Sequence, residues 1–245
     1  MRLSMENRQQ QYPPVNPIIV IPARNEAISI TSVIRGIKSK TNIPVIVIDD
    51  DSQDNTLELA RQAGAIAIKL SLPLGAWGAT QTGIRYALAH GYSIVVAMDA
   101  DGQHESSYLN DILRPLLDGS ADAVIGACPQ RASMARQIAW TIFRWLSGFN
   151  LTDLTSGFRA YNSASIEVLS SPEATMLDYQ DLGVLIMLSK NNLKIVEVPV
   201  QMKPRQDGPS RIFASWWAVI WYLAQTTILC IARWEKGREK GRCST

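Results

Sequence analysis

Cysteine and histidine are scarce in this chain of 245 residues, which contains three cysteines and two histidines. Cys128, Cys230 and Cys243 are widely spaced and odd in number, and they match no zinc-ligand spacing. Neither a disulfide framework nor a zinc site is therefore predicted, and a reducing compartment is favoured.

The chain also lacks an excess of charge of one sign, because 24 Lys and Arg residues face 22 Asp and Glu residues, for a net charge of +2. Without a basic field, nucleic acid is not an expected partner. Residues 1–16 lack the apolar core of a signal peptide and are polar and proline-rich. We expect a flexible leader there.

Short apolar runs alternate with segments of helical periodicity along most of the chain. The runs predict strands at residues 18–21, 45–48, 65–70, 93–98, 123–126, 158–161 and 194–200. The periodic segments predict helices at residues 27–38, 56–63, 77–89, 108–117, 134–146 and 182–189. This order predicts an α/β fold with a mostly parallel sheet flanked by helices on both faces.

Three polar clusters follow three of the predicted strands, at Pro22 to Glu26, Asp49 to Ser52 and Asp99 to His104. In open α/β sheets, ligands bind beyond the carboxyl ends of the strands, which meet at one edge. The three clusters are therefore expected to converge on a single rim.

Asp99 and Asp101 lie two residues apart just after a strand, so their carboxylates project to the same side. Two unit charges about 5 Å apart repel by roughly 3 kcal/mol at an effective dielectric of about 20. A divalent cation removes this repulsion, and oxygen ligands suit Mg²⁺ or Mn²⁺ shared with substrate phosphates. Gln103 and His104 could add a ligand or a supporting contact. The alternative is a simple turn in which Asp99 caps the next helix.

The run Asp49-Asp50-Asp51-Ser52 carries more carboxylates than helix capping needs, because one is enough for a cap. The others could accept hydrogen bonds from ribose hydroxyls or a base edge. This cluster therefore indicates a nucleotide site beside the predicted metal site at Asp99 and Asp101.

At this point the motifs resemble those of family 2 glycosyltransferases with the GT-A fold. The segments that carry the resemblance are PARNE at 22–26, DDDSQDNT at 49–56, DADGQH at 99–104, DLTSGFR at 153–159, EVPV at 197–200 and RQDGPSR at 205–211. The last two point to the dolichyl-phosphate mannosyltransferase branch and its bacterial polyprenyl-phosphate relatives.

The resemblance implies a role for several residues in binding the donor. Those assigned to the nucleotide sugar are Pro22, Asn25, Glu26, Asp49, Asp50 and Asp99. The cation on the diphosphate would be held by Asp99, Asp101 and Gln103. Asp51 stands where the family usually has glycine, so we expect a tighter or differently charged turn there.

The resemblance also implies an acceptor site. Arg159, Arg205 and Ser210 would meet phosphate groups, and Arg211 replaces the family's usual lysine in the same loop. The implied reaction is inverting transfer of a hexose from a donor of the GDP-mannose or UDP-glucose type to polyprenyl or dolichyl phosphate. Asp101, Arg159 and Arg205 would be catalytic.

The chemistry of the acceptor decides whether a base is needed. A phosphate monoester, with a second pKa of about 6, attacks without losing a proton. A sugar hydroxyl needs a carboxylate base, for which Asp181 is the candidate. Asp181 alternatively caps the helix predicted to begin at Leu182.

Residues 214–232 carry no charge and are rich in tryptophan, and basic residues follow them. This pattern favours a helix lying in the lipid headgroups, with a spanning helix or a core helix as alternatives. The expected organisation is a leader at 1–16, a GT-A domain at 17–211 and a membrane-associated helix and tail at 212–245. The enzyme would then be peripheral on the cytoplasmic face of a membrane, where a membrane-protein partner is also conceivable.

A receiver-type signalling module is a remote alternative, because Asp49, Asp50 and Asp99 imitate its phosphorylation pocket. The chain, however, has a strand before the acidic pair and is too long for a lone receiver. It also offers no clear lysine after a later strand. The receiver interpretation is therefore disfavoured.

Overall fold

The computed structural model describes residues 15–129, 151–177 and 182–203. The strands are β1 Pro17–Ala23, β2 Val45–Asp49, β3 Ile66–Lys69, β4 Ile94–Ala97, β5 Ala123–Ala127, β6 Arg159–Asn162 and β7 Ile195–Pro199. The helices are α1 Ile30–Lys38, α2 Thr56–Gln62, α3 Gly75–Ala89, α4 Leu109–Leu117, α5 Ser163–Leu169 and α6 Leu182–Lys190, with 3-10 turns at Ser106–Tyr108 and Glu173–Met176.

The strands form one seven-stranded sheet in the order β3-β2-β1-β4-β6-β5-β7. Every neighbouring pair is parallel except the two that involve β6, which runs antiparallel to both β4 and β5. The predicted mostly parallel sheet flanked by helices is therefore confirmed. The reversed direction of β6 was not predicted, and it brings the start of that strand to the edge where the parallel strands end.

Alternate side chains of the strands point into two separate apolar layers. On one face, α1, α2 and α4 cover residues such as Ile19 and Ile21 of β1. On the other face, α3, α5 and α6 cover Ile18 and Val20 of the same strand. Because both faces are covered, β2 is buried along its whole length, which explains the unbroken apolar run at residues 45–48 that precedes Asp49.

The helices differ from the prediction in two places. Helix α1 begins at Ile30 rather than at Ala27, and the N–H groups of Glu26 and Ala27 before it donate to the side chains of Thr56 and Asp54. Helix α5 was not predicted, although Asn162 caps it by accepting a 3.0 Å hydrogen bond from the N–H of Ser165. Asparagine at this position was an available start signal.

Several predicted features lie outside the described residues. They are the leader, the helix at 134–146, Asp181, the loop with Arg205, Ser210 and Arg211, and the apolar helix from 212 onward. Within the described ranges, no helix is long and apolar enough to cross a membrane.

Gly83 allows α3 to lie directly on β1. A Cβ atom at this position would come within 2.2 Å of Cγ1 of Val20, far inside van der Waals contact. Val20 is fully buried and its branched side chain has few rotamers available, so it cannot move aside cheaply.

We expect Gly83→Ala to lower the free energy of unfolding by about 1–3 kcal/mol through overpacking, measured by chemical denaturation. Adding Val20→Ala should recover part of that loss, because the two positions share one contact. Gly36→Ala in α1 is the matched control, since the nearest heavy atom would be 3.8 Å away. A Gly83→Ala protein as stable as this control would contradict the proposed contact.

Candidate active site

The turn after β4 presents two carboxylates at the edge of the sheet. The Oδ1 atom of Asp101 accepts a 3.0 Å hydrogen bond from the N–H of Gln103. Between them, Gly102 has a φ of 78°, a conformation that glycine adopts without strain. The side chain of Asp99 is 41% exposed, so its carboxylate remains accessible to a ligand.

His104 supports this turn from inside the protein. The N–H of Asp99 donates to Nδ1 of His104 over 3.0 Å, so the neutral ring carries its proton on Nε2. Nε2 lies 3.5 Å from Oδ2 of Asp99, and the ring stacks on Phe158 with centroids 5.2 Å apart. Because the side chain of His104 has no exposed surface, its role here is to orient Asp99.

Gln103 connects the turn at residues 99–104 to the chain that leaves β7. Its carbonyl oxygen accepts a 2.9 Å hydrogen bond from the N–H of Lys203, and its side-chain nitrogen donates to the carbonyl of Lys203 over 3.3 Å. His104 forms an isolated antiparallel bridge with Met202. The chain at Met202 and Lys203, which continues to Arg205, therefore lies beside the turn at residues 99–104.

The loop after β1 is joined to the loop after β2 by hydrogen bonds. The N–H of Asn25 donates to Oγ of Ser52 over 2.9 Å, and Oδ1 of Asn25 accepts from the N–H of Gln53 over 2.8 Å. Asn25 adopts a φ of 54°, which asparagine tolerates better than most residues. The structure therefore brings two of the three predicted clusters together.

Glu26 extends the same junction, because its N–H donates to Oγ1 of Thr56 over 2.8 Å. Pro22 lies inside β1, next to Ile48 of β2, and is partly buried. Since β1 pairs with both β2 and β4, the loop after β1 lies between the two acidic turns. The three polar clusters thus share one rim, as the sequence predicts.

The first two carboxylates of the acidic run are turned inward. Asp49 is fully buried, and its Oδ2 accepts from the N–H of Ser52 over 3.3 Å. Asp50 accepts from the N–H groups of Leu74 and Gly75 over 2.6 and 3.0 Å, where α3 begins. Both residues organise the rim through backbone contacts, and their predicted contact with the nucleotide remains a prediction.

Asp51 keeps the turn that glycine would make. Its φ is 57°, in the left-handed region where the family's usual glycine carries no steric cost. The extra charge lies 3.7 Å from Nζ of Lys69, in a partly exposed pair. The replacement therefore changes the charge of the rim at this position and leaves the backbone in a glycine-like conformation.

The loop at residues 151–158 lies beside the turn at residues 99–104 and is held by two neighbouring strands. Glu197 of β7 accepts hydrogen bonds from the N–H groups of Thr152 and Asp153. Oδ2 of Asp153 in turn accepts from the N–H of Cys128, just beyond β5, over 3.1 Å. The loop is thus fixed to the ends of both strands.

Arg159, at the start of β6, is fully buried. Its Nε donates to the carbonyl of Ser156 and its Nη2 to the carbonyl of Leu154, both over 2.8 Å. The guanidinium therefore holds the loop at 151–158 through two of its backbone carbonyls. The predicted contact of Arg159 with a ligand phosphate remains a prediction.

The sequence predicts no role for Gly157 or Glu197, and for Asp54 only capping of the next helix, although all three stand in the quoted motifs. Asp54 accepts from the N–H of Ala27 over 3.1 Å and so clamps the loops after β1 and β2. Burial raises its pKa, but hydrogen bonds from Thr56 and Ala27 outweigh that effect and lower the pKa below the ordinary 3.8. The sequence feature that could have indicated this clamp is Asp54 itself, the second aspartate of the D-S-x-D segment at residues 51–54.

The fold matches solved structures of one enzyme well. Glucosyl-3-phosphoglycerate synthase from Mycobacterium tuberculosis, solved with Mn²⁺, UDP and phosphoglyceric acid, superimposes with a TM-score of 0.69 at 21% identity, covering 89% of this chain and 78% of that one. A second structure of that enzyme, with UDP-glucose, gives a TM-score of 0.67 at 22% identity, covering 89% and 79%. This sheet, with acidic turns on its rim, defines the GT-A class of glycosyltransferases.

The chain belongs to glycosyl transferase family 2, whose family model matches residues 18–167. A similar protein is a UDP-N-acetylglucosamine–dolichyl-phosphate N-acetylglucosaminyltransferase of Methanococcus voltae, 29% identical over 210 residues, covering 75% of this chain and 84% of that one. Another is the polyprenol monophosphomannose synthase of Mycolicibacterium smegmatis, 28% identical over 231 residues, covering 83% of each chain. The protein is a glycosyltransferase, and the predicted resemblance to the polyprenyl-phosphate branch is confirmed.

Replacing Asp54 tests whether the clamp between the loops matters for ligand binding. We expect Asp54→Ala to raise the Kd for UDP or GDP roughly 3- to 10-fold, because the loop after β1 loses a hydrogen bond worth about 1 kcal/mol. Isothermal titration calorimetry measures this. Asp118→Ala is the matched control, since hydrogen bonds from Ser120 lower the pKa of Asp118 too, but it follows α4, away from the rim.

The same pair of variants has an expected pH dependence. Because the folded-state pKa of Asp54 is lowered, its contribution to stability is present above the unfolded value near 3.8 and is lost as the pH falls through the folded pKa. The stability difference between wild type and Asp54→Ala should therefore shrink below about pH 4. If the Asp54→Ala variant bound UDP and GDP as tightly as the Asp118→Ala control does, the proposed clamp would be refuted.

Proposed function

We propose that this enzyme transfers a hexose from a nucleoside-diphosphate sugar to a polyprenyl or dolichyl phosphate, with inversion and with Mg²⁺ or Mn²⁺. The observation that carries the proposal is the Asp99-Ala100-Asp101 turn, in which the side chain of Asp99 is 41% exposed, next to the loop after β1 and the chain leaving β7. Relatives that are named for transfer to dolichyl or polyprenyl phosphate support the choice of acceptor.

The donor set of the turn fits a hard divalent cation. Asp99 and Asp101 offer carboxylate oxygens, the ligands that Mg²⁺ and Mn²⁺ prefer. Within the part of the chain that the structure describes, no group of three or more His, Cys, Asp or Glu side chains is placed to hold an ion. Mg²⁺ sites usually combine one or two protein carboxylates with substrate phosphates, and we propose that the donor diphosphate would complete the coordination of a cation held by Asp99 and Asp101.

The reaction forms one bond and breaks another at the anomeric carbon. An oxygen of the acceptor phosphate attacks that carbon, and the bond to the diphosphate oxygen breaks, which releases the nucleoside diphosphate. The cation supplies charge stabilisation for the leaving diphosphate. The protein contributes by holding Asp99 and Asp101 in place before the ligand binds, which avoids reorganisation during the reaction.

A phosphate acceptor needs no base, because it is already anionic at neutral pH. The alternative is a sugar hydroxyl acceptor with Asp181 as base, and that residue lies outside the described part of the chain. The two acceptors differ in one measurable respect. An Asp181→Asn variant should retain transfer to a lipid phosphate and lose transfer to a hydroxyl.

We expect Asp101→Asn to lower kcat/KM at least about 100-fold, because it removes a charged ligand from the cation. The assay is a screen of labelled GDP-mannose, UDP-glucose and UDP-N-acetylglucosamine against a short polyprenyl phosphate, with Mg²⁺ or Mn²⁺. EDTA should abolish the transfer. Full activity of Asp101→Asn, or transfer undiminished in EDTA, would contradict the metal assignment.

Two exposed leucines at the rim support a lipid acceptor and a membrane surface. Leu72 and Leu74, in the loop between β3 and α3, are 70% and 56% exposed. The hydrogen bond from the N–H of Leu74 to Asp50 holds this loop next to the acidic turn. We propose that the two leucines enter the headgroup region of the membrane from which the acceptor is taken.

The double change Leu72→Ser and Leu74→Ser should weaken binding to anionic liposomes at least about 10-fold, because burial of one leucine contributes roughly 1.5–3 kcal/mol. Co-sedimentation measures the binding. Leu88→Ser is the matched control, because Leu88 is 44% exposed at the other end of α3. Liposome binding that is unchanged in the double variant, or equally weakened in the control, would refute the contact.

A further inference from the structure

Gly157 touches the carboxylate of Asp99. A Cβ atom added to Gly157 would lie 2.4 Å from Oδ1 and 2.6 Å from Oδ2 of Asp99, closer than real Cβ atoms approach. Gly157 is not one of the described glycines with positive φ, so the backbone does not require glycine here. What this position requires is space for the carboxylate.

The loop that carries Gly157 is held against lateral movement. Besides the two backbone N–H groups, the carboxylate of Glu197 accepts from Oγ1 of Thr152 over 3.0 Å. Such charge-assisted hydrogen bonds are stronger than neutral ones. Glu197 therefore fastens the start of the loop to β7.

The end of the loop is held by the buried guanidinium of Arg159, which donates to the carbonyls of Leu154 and Ser156. Burial of a charge is costly unless hydrogen bonds satisfy it. Movement of these carbonyls would therefore leave the buried guanidinium without two of its hydrogen-bond acceptors. Gly157 follows directly after the second of these carbonyls and lies two residues before the start of β6. Its position relative to β4 is therefore determined by the pairing of β6 with β4.

Asp99 is consequently confined by two neighbours. Nε2 of His104 lies 3.5 Å from Oδ2, and the contact with Gly157 leaves no room for a Cβ atom beside either carboxylate oxygen. These two contacts restrict the orientation of the carboxylate, although the Asp99 side chain is otherwise 41% exposed.

We propose that Gly157 is a positioning residue that, together with the Glu197 clamp, sets the orientation of the Asp99 carboxylate and thereby the affinity of the turn for a divalent cation. This inference rests on the proposed metal dependence of the enzyme. It adds Gly157 and Glu197 as residues that act through the carboxylate of Asp99.

Gly157→Ala is expected to fold normally, because the atoms it displaces belong to the carboxylate of Asp99, whose side chain is 41% exposed and can turn toward solvent. The Asp99 carboxylate would rotate away from Asp101, and the Kd for Mn²⁺ should rise about 10-fold. Titration with Mn²⁺ alone, followed by electron paramagnetic resonance, measures this affinity without any turnover. Gly36→Ala, the same chemical change where the nearest atom would be 3.8 Å away, should leave the Mn²⁺ affinity unchanged.

Glu197→Gln keeps the size of the clamp but presents an NH₂ group to backbone N–H groups that need an acceptor. It should also raise the Kd for Mn²⁺. In the double variant with Gly157→Ala, the effects should be less than additive, because both act through the orientation of one carboxylate. The unfolding midpoint, measured in parallel, separates loss of metal affinity from loss of fold.

The outcomes distinguish this inference from the proposed function. A wild-type protein that binds Mn²⁺ but transfers no hexose to polyprenyl phosphate would refute the function, while loss of Mn²⁺ affinity in Gly157→Ala would still support the inference. Mn²⁺ affinity that is unchanged in Gly157→Ala would overturn it. The absence of Mn²⁺ binding by the wild type would overturn it too, whatever the transfer activity.

Discussion

The insertion of β6 antiparallel between β4 and β5 is the constraint on which the arrangement of the site depends. The register pairs Ala97 with Arg159, so β6 begins where β4 ends. The loop that leads into β6 therefore lies at the edge of the sheet where the Asp99-Ala100-Asp101 turn is found. A parallel β6 would have begun at the opposite edge, and the loop containing Gly157 could not have reached Asp99.

The rim is built largely from charged groups that bind the protein's own backbone. Asp50 accepts from the first N–H groups of α3, Glu197 from the loop at 151–158, and Arg159 donates to carbonyls of that loop. Buried charges are tolerated only when they are hydrogen-bonded. Each of these residues is satisfied by a loop of the rim, so the loops are ordered by internal contacts. Such preorganisation is what electrostatic catalysis requires.

Much of the fold could be predicted because the apolar runs of β1, β2, β4 and β5 are short, unbroken and separated by helical periodicity. The three acidic or polar clusters could be placed on one rim because each follows such a run. Helix α5 and the direction of β6 escaped prediction. Strand direction depends on how the chain crosses the sheet, and no local periodicity records it. The start of α1 at Ile30 was missed too, and the N–H groups of Glu26 and Ala27 before it bond to Thr56 and Asp54, far along the chain.

The family, the mostly parallel α/β sheet and the identity of the acidic turns could be predicted from the sequence, because they follow from motifs and local periodicity. Which acidic and basic residues bind backbone groups became clear from the folded chain. Asp49 and Asp50 look alike in the sequence to carboxylates that face a ligand, yet they are buried on backbone N–H groups. Gly157 looks like an ordinary turn glycine, yet it lies against Asp99. Both facts depend on contacts between segments far apart in the chain, which are created when the strands pair.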